Sequence, residues 1–221
     1  MVFRDASGRT LEDYPRPSMA VDTAVLTYTP DAALAVVLVQ ATDPAGWRLP
    51  GTFLHPGETL ADAVQRSLAA KAGITDLVPA QLHVFDAPGR DDRGWVLSVA
   101  HLATVPFDRL HLDGQLTRLA TIDAVGSLPY DHNAIIEFAV AELRARYAAS
   151  PDPEGLLPEA FTILELRQLH EAVAGAPLQR DTFRRAMLPG LVATGGLQRG
   201  QLGKPAELYR RAAGRREATT D

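Results

Sequence analysis

The residues of this sequence that could carry chemistry are concentrated in one stretch, "LHPGETLADAVQRSLAAKAGI", which spans residues 54–74. Its ionisable side chains include Glu58, Asp62, Arg66 and Lys71. Hard cations such as Mg²⁺ require several carboxylate oxygens, so two acids on one helix form a poor metal site. Asp62 and Arg66 have the i,i+4 spacing of an ordinary helix ion pair, and Glu58 can pair with Arg66 across the preceding loop. The spacing therefore predicts a structural role for Glu58 and Arg66.

Other catalytic chemistries find little support. The chain contains no cysteine, which excludes thiolate zinc sites and a cysteine nucleophile. Its six histidines lack a close metal-ligand spacing such as HExxH, and His132 in "YDHN" is expected to cap or to pack. Ser67 has no evident base and acid partners for nucleophilic catalysis. No catalytic residue and no metal ligand is predicted.

Positive charge is gathered near the C-terminus, although the formal net charge of the chain is −5. Residues 178–216 hold nine basic and two acidic residues, a net of +7, and the remainder of the chain is at −12. This asymmetry predicts an acidic domain joined to one that binds a polyanion. A solvated tail would explain Arg215 and Arg216, but not the arginines that lie inside patterned elements.

Length and composition predict a folded protein outside the membrane. With 221 residues, 46% of them hydrophobic, the chain can form one large or two small cores. No run approaches the roughly 18 consecutive apolar residues of a membrane span, and the N-terminus "MVFRDASGRT" is charged, unlike a signal peptide. We expect a cytoplasmic protein that does not bind membranes.

The elements that must position the stretch at 54–74 form a mixed sheet with helices. Residues 19–28 and 33–42 are β-rich runs joined by "TPDA", and residues 82–87 and 95–103 form a second pair around the polar loop "PGRDDRG". Between the pairs lies a helix that ends at Gly73, and after them "DHNAIIEFAVAELRARYAA" has helical apolar spacing. Its apolar positions are Ile135, Ile136, Phe138, Ala139 and Leu143. The pattern predicts an α/β sandwich.

A domain boundary is predicted at "ASPDPEGLLPEAF", where three prolines end the long helix. We assign residues 1–150 to the first domain, 151–158 to a linker, 159–214 to a second domain and 215–221 to a tail. In the second domain, Thr162 and Glu165 form a capping-box pattern, and Gly175 marks the end of that helix. Residues 177–188 form a second helix, with Leu178, Phe183 and Met187 towards the core. A strand, a glycine-rich turn and a strand follow, and this order is typical of a winged helix-turn-helix.

The stretch at 54–74 resembles the Nudix box, G-x5-E-x7-R-E-U-x-E-E-x-G-U, in which U is bulky and aliphatic. The frame of the box is kept at Glu58, Arg66, Leu68, Gly73 and Ile74, together with "PGET". The first glycine of the box is replaced by Thr52, and three glutamates of the box are replaced by Ser67, Ala70 and Lys71. The last three positions share one helix face, where glutamates would converge on a metal ion. The substitutions imply that no cofactor is used and that Mg²⁺ binding is lost or weak.

The resemblance extends over about residues 15–212 and is to the Nudix-related transcriptional regulators. It is carried by "RPSMAVDTAVLTY", "RDDRGWVLSVAHLA", "LPYDHNAII", "FTILELRQLHEAVAGAPLQRDTFRRAML" and "GKPAELYR". These regulators fuse a Nudix-like sensor to a C-terminal winged helix, and several of them control NAD cofactor genes in response to ADP-ribose. The resemblance implies a Nudix-type α/β/α sandwich followed by a winged helix, and a homodimer that binds a palindromic double-stranded DNA operator.

Two groups of binding residues are predicted. Lys71 could replace the metal by neutralising a phosphorylated ligand, although a drifted surface lysine is an equal alternative. Arg90 and Arg93 in the loop "PGRDDRG" are expected to contact a ligand or a dimer partner. The alternative is that this loop is a solvated hairpin tip. The ligand-binding candidates are Lys71, Glu58, Arg90 and Arg93. The DNA-binding candidates are Arg180, Thr182, Arg184, Arg185, Arg199 and Lys204.

The small ligand is left open between ADP-ribose, a related nucleotide, and a sugar or sugar phosphate. The sign of its effect on DNA binding is also open. The alternative function is a divergent Nudix hydrolase that cleaves a nucleoside diphosphate derivative, with a C-terminal domain used for oligomerisation. A protein-interaction module with a relict pocket is a third possibility. DNA binding distinguishes both alternatives from a regulator.

Overall fold

The computed structural model describes residues 3–42, 45–199 and 205–212. Its N-terminal part contains seven strands, which are β1 (Ser18–Tyr28), β2 (Leu34–Thr42), β3 (Ala45–Arg48), β4 (Gly51–Phe53), β5 (Ala80–Phe85), β6 (Val96–Thr104) and β7 (Thr117–Thr121). They form one mixed sheet in the order β3-β2-β1-β6-β5, with β4 paired to β1 and β7 paired to β2. The predicted mixed sheet is confirmed.

β1 is the centre of this sheet. It runs parallel to β6 and antiparallel to β2 and β4. Its residues 20–27 are buried without alternation, since both faces of the strand are covered. Both strand pairs predicted from the sequence are present, β1 with β2 and β5 with β6. The short strands β3, β4 and β7 were not predicted, because three to five residues carry too little periodic pattern.

Two helices pack on the sheet. The first, α1 (Leu60–Ala72), begins with a capping box between Thr59 and Asp62 and ends at Gly73, whose φ of +64° favours glycine. The second, α2 (His132–Tyr147), covers the other face of the sheet. The predicted end of α1 at Gly73 is confirmed. No helix in the three described ranges is long and apolar enough to cross a bilayer.

The sheet separates two apolar layers, which makes the predicted α/β/α sandwich. On the α1 side, Val64 and Leu68 pack against valines of β1 and β2. On the α2 side, Ile135 and Leu143 pack against Leu26 and other residues of the opposite face. The grouping of Phe138 with this apolar face was wrong, because its side chain is 49% exposed and its ring stacks on His83 of β5, 4.9 Å between centroids.

The C-terminal part is a winged helix-turn-helix, as predicted. It consists of β8 (Phe161–Thr162), α3 (Ile163–Ala174), α4 (Arg180–Met187), β9 (Leu191–Gln198) and β10 (Ala206–Arg211), with the three strands in the order β8-β10-β9. The capping box of Thr162 with Glu165 is present, and Gly175 ends α3 with a φ of +71°. Phe183 and Met187 are buried, as the helical spacing predicts.

α2 belongs to the cores of both parts of the chain. One continuous cluster of buried residues joins Leu26 of the sheet, Leu143 and Tyr147 of α2, and Phe161 and Phe183 of the winged helix. The predicted linker is packed as well, since Leu156 and Leu157 are buried. The assignment of residues 151–158 as a boundary stays a prediction, but these residues connect the two parts without forming an exposed tether.

His170 of α3 makes the stability of this junction depend on pH. Its buried ring lies between Tyr147 and Phe183, 5.1 and 4.9 Å from their centroids, and its Nε2 has no partner among the described residues. Burial lowers the pKa of His170 to about 4 from an ordinary value of 6.5. The folded state therefore disfavours the protonated ring, and stability that is full above pH 6.5 is lost as the pH falls towards 4.

We expect His170→Leu to lose less free energy of unfolding between pH 7 and pH 4 than the wild type does. The difference in this loss should approach about 3 kcal/mol, because each pKa unit corresponds to about 1.4 kcal/mol. Urea unfolding at the two pH values, followed by circular dichroism, measures it. Equal losses in the two proteins would contradict the assignment.

Candidate functional site

A polar cavity of about 170 Å³ opens at one end of the sheet. β1, β4, the last turn of α1, the loop between β5 and β6, and the first residues of α2 form its walls. Its lining consists of Ala20, Asp22, Arg48, Leu49, Gly51, Thr52, Phe53, Lys71, Arg90, Asp91, Arg93, Tyr130 and His132. Four basic and two acidic side chains are among them, so the cavity suits an anion.

Asp22 of β1 is one of the two buried acids of this cavity, and Asp91 is the other. Its Oδ2 accepts a hydrogen bond from Ser98 Oγ at 2.6 Å, and its Oδ1 lies 3.4 Å from His132 Nε2. The Nδ1 of His132 accepts from the Leu49 amide at 3.0 Å, which assigns the ring proton of the neutral form to Nε2, facing Asp22. Burial opposes ionisation, but His132, Ser98 and Arg90 together hold the pKa of Asp22 below its usual value.

The backbone of β4 approaches Asp22 so closely that only glycine fits at position 51. A Cβ atom on Gly51 would lie 1.9 Å from Asp22 Oδ1. The carbonyl oxygen of Gly51 accepts a hydrogen bond from Lys71 Nζ, which brings the ammonium of α1 into the lining of the cavity. Desolvation lowers the pKa of Lys71, and the charge of Asp22 acts in the opposite direction.

Arg90 connects the β5–β6 loop to the start of α2. Its side chain is 3% exposed, and its Nε donates to Asp131 Oδ2 at 2.5 Å. A second nitrogen of the guanidinium lies 3.9 Å from Asp22 Oδ2. Arg90 is thus a buried cation that two acids hold in place.

Arg93 occupies the outer rim. Its guanidinium donates to Asp91 at 2.8 and 2.6 Å, and lies 5.1 and 4.9 Å from the ring centroids of Phe53 and Tyr130. Arg93 lowers the pKa of Asp91 by hydrogen bonding to it. Tyr130 has a φ of +57°, an unfavourable backbone conformation for a tyrosine that costs roughly 1–3 kcal/mol and often marks a functional site. The arrangement presents a half-exposed cation between two aromatic rings.

Glu58 and Arg66 lie outside the cavity lining and hold the loop before α1. Arg66 Nε and Nη2 donate to the two oxygens of Glu58 at 2.7 and 2.8 Å, and Glu58 also accepts from the His55 amide at 2.9 Å. Hydrogen bonding to Arg66 lowers the pKa of Glu58 to about 2. This geometry supports the structural role predicted for both residues, while ligand binding by Glu58 stays a prediction.

The replaced positions of the Nudix-box pattern do not provide a magnesium site. Ser67 is buried, and its Oγ has no partner among the described residues. Ala70 is exposed, and Lys71 places an ammonium where a carboxylate would be required. In the described ranges, no three acidic, histidine or cysteine residues come together in a way that could hold a metal. The donor set therefore does not fit a divalent ion.

The DNA-binding candidates of α4 lie on its surface. Arg180, Thr182, Arg184 and Arg185 are all exposed, and Arg199 is exposed just beyond β9. Arg180 and Arg184 line a groove of about 820 Å³ between the start of α3, α4 and the strands β9 and β10. Lys204 lies outside the described residues.

Several residues of both surfaces were missed by sequence reasoning. In the cavity these are Asp22, Arg48, Phe53 and Tyr130, and in the groove they are Leu164, Arg167 and Leu197. His132 was expected to cap or pack, and it both packs and lines the cavity. A signal was available for Asp22, which is the one charged residue of a mostly apolar strand and so requires buried partners.

Comparison with known proteins identifies both parts of the chain. Residues 19–113 match the NUDIX domain, and residues 154–211 match the NrtR DNA-binding winged helix domain. The ADPR responsive transcriptional repressor NtrR of Acinetobacter baylyi is 30% identical over 209 residues, which are 90% of this chain and 83% of that protein.

Two solved structures from Shewanella oneidensis extend the comparison. NrtR complexed with a 27mer DNA is 30% identical, with a TM-score of 0.75 over 88% of this chain and 93% of that one. The NUDIX domain of NrtR complexed with ADP ribose is 25% identical, with a TM-score of 0.53 over 62% of this chain and 95% of that one.

We expect the double change Ala70→Glu and Lys71→Glu to create a divalent-metal site. The carboxylate at position 71 would replace the ammonium that now donates to the Gly51 carbonyl oxygen, and the carboxylate at position 70 would add a second acid to the last turn of α1. Calorimetric titration with Mg²⁺ should show an affinity at least about tenfold higher than that of the wild type. The matched control is Ala70→Gln with Lys71→Gln, which removes the cation without adding carboxylates. Equal Mg²⁺ affinity in the two double variants would show that carboxylates at these two positions do not create a metal site.

Proposed function

This chain belongs to the NrtR family of transcriptional repressors, and from that premise we propose that it binds an operator through its winged helix and senses ADP-ribose in its Nudix-like domain. The observation that carries the proposal is the cavity beside Asp22, where cations outnumber acids and Lys71 stands in place of a Nudix-box glutamate. Such a cavity can attract a diphosphate, and it lacks the carboxylates that would hold a metal for hydrolysis. Acting on DNA would place the protein in the cytoplasm.

The charge of Lys71 is central to ligand binding in this proposal. Its ammonium lines the cavity, as Arg93 does, and is close enough to feel the charge of Arg93. An ammonium can neutralise a phosphate without activating water, so the ligand is bound and not cleaved. Arg90 and Arg93 supply further positive charge, and the aromatic rings of Phe53 and Tyr130 offer flat surfaces to the base or sugar.

We expect Lys71→Glu to weaken ADP-ribose binding at least about tenfold, because a carboxylate would repel the diphosphate. The control is Arg109→Glu, the same reversal of charge at an exposed residue outside the cavity. Isothermal titration with ADP-ribose, ribose 5-phosphate and free ribose measures the three affinities. The hypothesis for Lys71 is wrong if the affinity for every phosphorylated ligand is unchanged.

The exposed arginines and Thr182 of α4 are the proposed DNA contacts. Thr182, Arg184 and Arg185 project from a helix that is anchored through Phe183 and Met187, as expected for a recognition helix in the major groove. A guanidinium binds either a phosphate or a guanine edge, so the role of each arginine follows from the salt and sequence dependence of its variants. A homodimer would place two such helices about 34 Å apart, or at a multiple of that distance, on a palindromic operator.

The decisive experiment is fluorescence anisotropy with DNA from upstream of the gene and its neighbours, at two salt concentrations, with and without ADP-ribose. Sequence-selective binding that ADP-ribose alters supports the whole proposal. Selective binding that ADP-ribose does not change supports a DNA-binding regulator with a different ligand, and sugars and sugar phosphates would be tested next. If no fragment binds selectively, the divergent hydrolase becomes the better hypothesis.

In the same assay, we expect Arg184→Ala to weaken operator binding. If Arg184 contacts a phosphate, the slope of log affinity against log salt should fall by about one unit, and if it contacts a base, the preference at that position should relax. Arg16→Ala, which removes an exposed arginine from the segment before β1, is the control for lost charge. DNA binding by Arg184→Ala that equals the wild type at both salt concentrations would exclude this residue from the interface.

A further inference from the structure

α2 connects the cavity to the winged helix. At its N-terminal end, His132 lines the cavity and Asp131 accepts a hydrogen bond from Arg90 at 2.5 Å. Its sixteen residues form a rod of about 24 Å, at 1.5 Å per residue. At the other end lies Tyr147, whose side chain is part of the winged-helix core. A movement of the first turn of α2 is therefore carried to its last turn.

Asp152 is hydrogen-bonded to the C-terminal end of α2. The residue is 1% exposed, and its Oδ1 accepts hydrogen bonds from the Tyr147 hydroxyl at 2.6 Å and the Leu156 amide at 2.8 Å. Its Oδ2 accepts from the Leu157 amide at 2.9 Å. Burial and the charge of Asp152 raise the pKa of Tyr147, so the hydroxyl stays protonated as the donor. One carboxylate thus fixes α2 to the segment that follows it.

The same carboxylate is bound from the winged helix by Arg211, the last residue of β10. Arg211 Nε donates to Asp152 Oδ2 at 3.0 Å, and Nη2 contacts the same oxygen. The guanidinium also lies 5.2 Å from the ring centroid of Phe161 in β8. Because β10 is the central strand of the three-stranded sheet, Arg211 attaches Asp152 to the body of the winged helix. Donors from both parts of the chain share one buried acceptor, where hydrogen bonds are electrostatically strong.

We propose that Asp152 is a positioning residue for the DNA response, because it fixes the angle between α2 and the winged helix through Tyr147 and Arg211. The inference rests on the proposed function. An anionic ligand in the cavity attracts Arg90 and so competes with Asp131 for it, which biases the position of the first turn of α2. Asp152 passes this displacement to β10, and the packing of Phe183 against the shared core passes it to α4.

Two variants test the two sides of the junction without removing the carboxylate. Tyr147→Phe deletes only the hydroxyl that donates from α2, and Arg211→Gln deletes the cation that donates from β10. For each, we would measure ADP-ribose affinity without DNA, and operator affinity with and without saturating ADP-ribose. The ratio of the two operator affinities is the coupling between the sites, and it must equal the reciprocal effect of DNA on ADP-ribose affinity.

We expect both variants to keep the wild-type ADP-ribose affinity within about twofold, and to bring the coupling ratio at least threefold closer to one. Val37→Ala, a core truncation on the α1 side of the sheet, is the control for lost stability and should keep the wild-type ratio. Thermal unfolding of all four proteins verifies that they are folded at the assay temperature.

Other results would contradict either the role of Asp152 or the proposed function. A wild-type coupling ratio retained by both variants overturns the role of Asp152 while the proposed function stands. A loss of ADP-ribose affinity itself also overturns it, because the effect would then lie at the cavity. A wild-type protein that binds no operator, or whose operator affinity ignores ADP-ribose, overturns the proposed function and the coupling with it.

Discussion

A buried carboxylate is stable only when donors or a cation surround it, and Asp152 meets this condition with groups from both parts of the chain. Tyr147 and Arg211 can reach it only if α2 and β10 are correctly placed, so satisfying Asp152 specifies their relative position. The residue has a φ of +47°, a conformation that aspartate tolerates better than most residues. Between two prolines, this local geometry turns the chain from the end of α2 into the winged helix.

α2 extends this constraint over the whole molecule. A helix that packs on a sheet usually has one apolar face and one solvated face. Here the C-terminal half of α2 also contributes Leu143 and Tyr147 to the winged-helix core. The two parts are therefore packed as one body through a shared helix, and a change at either end of that helix has a structural route to the other.

In the proposed function, the cavity is a ligand site whose charges differ from those of a Nudix hydrolase. In a Nudix hydrolase, acids on the helix hold a cation that in turn binds the diphosphate. In this chain the helix itself carries the cation at Lys71, and the remaining acids of the cavity are already engaged, Asp22 by His132 and Ser98, and Asp91 by Arg93. The cavity therefore combines positive charge that can attract an anion with a lack of the carboxylates that would hold a metal, and this combination supports the proposed sensor.

The sequence by itself determined where several helices begin and end, because helix caps depend on residues that are close in sequence. The capping box at Thr162 and the glycine stops at Gly73 and Gly175 involve neighbours within a few residues, and all three were predicted. The sequence also located the positive charge of α4 and, through the Nudix-box pattern, the loss of the metal-binding acids. Tertiary structure alone decided that Asp22, Arg90 and His132 meet in one cavity and that Asp152 lies between Tyr147 and Arg211. Some of these contacts join residues more than a hundred positions apart in the sequence. No local periodicity encodes such a contact, because the contact depends on how the strands pair and the helices pack.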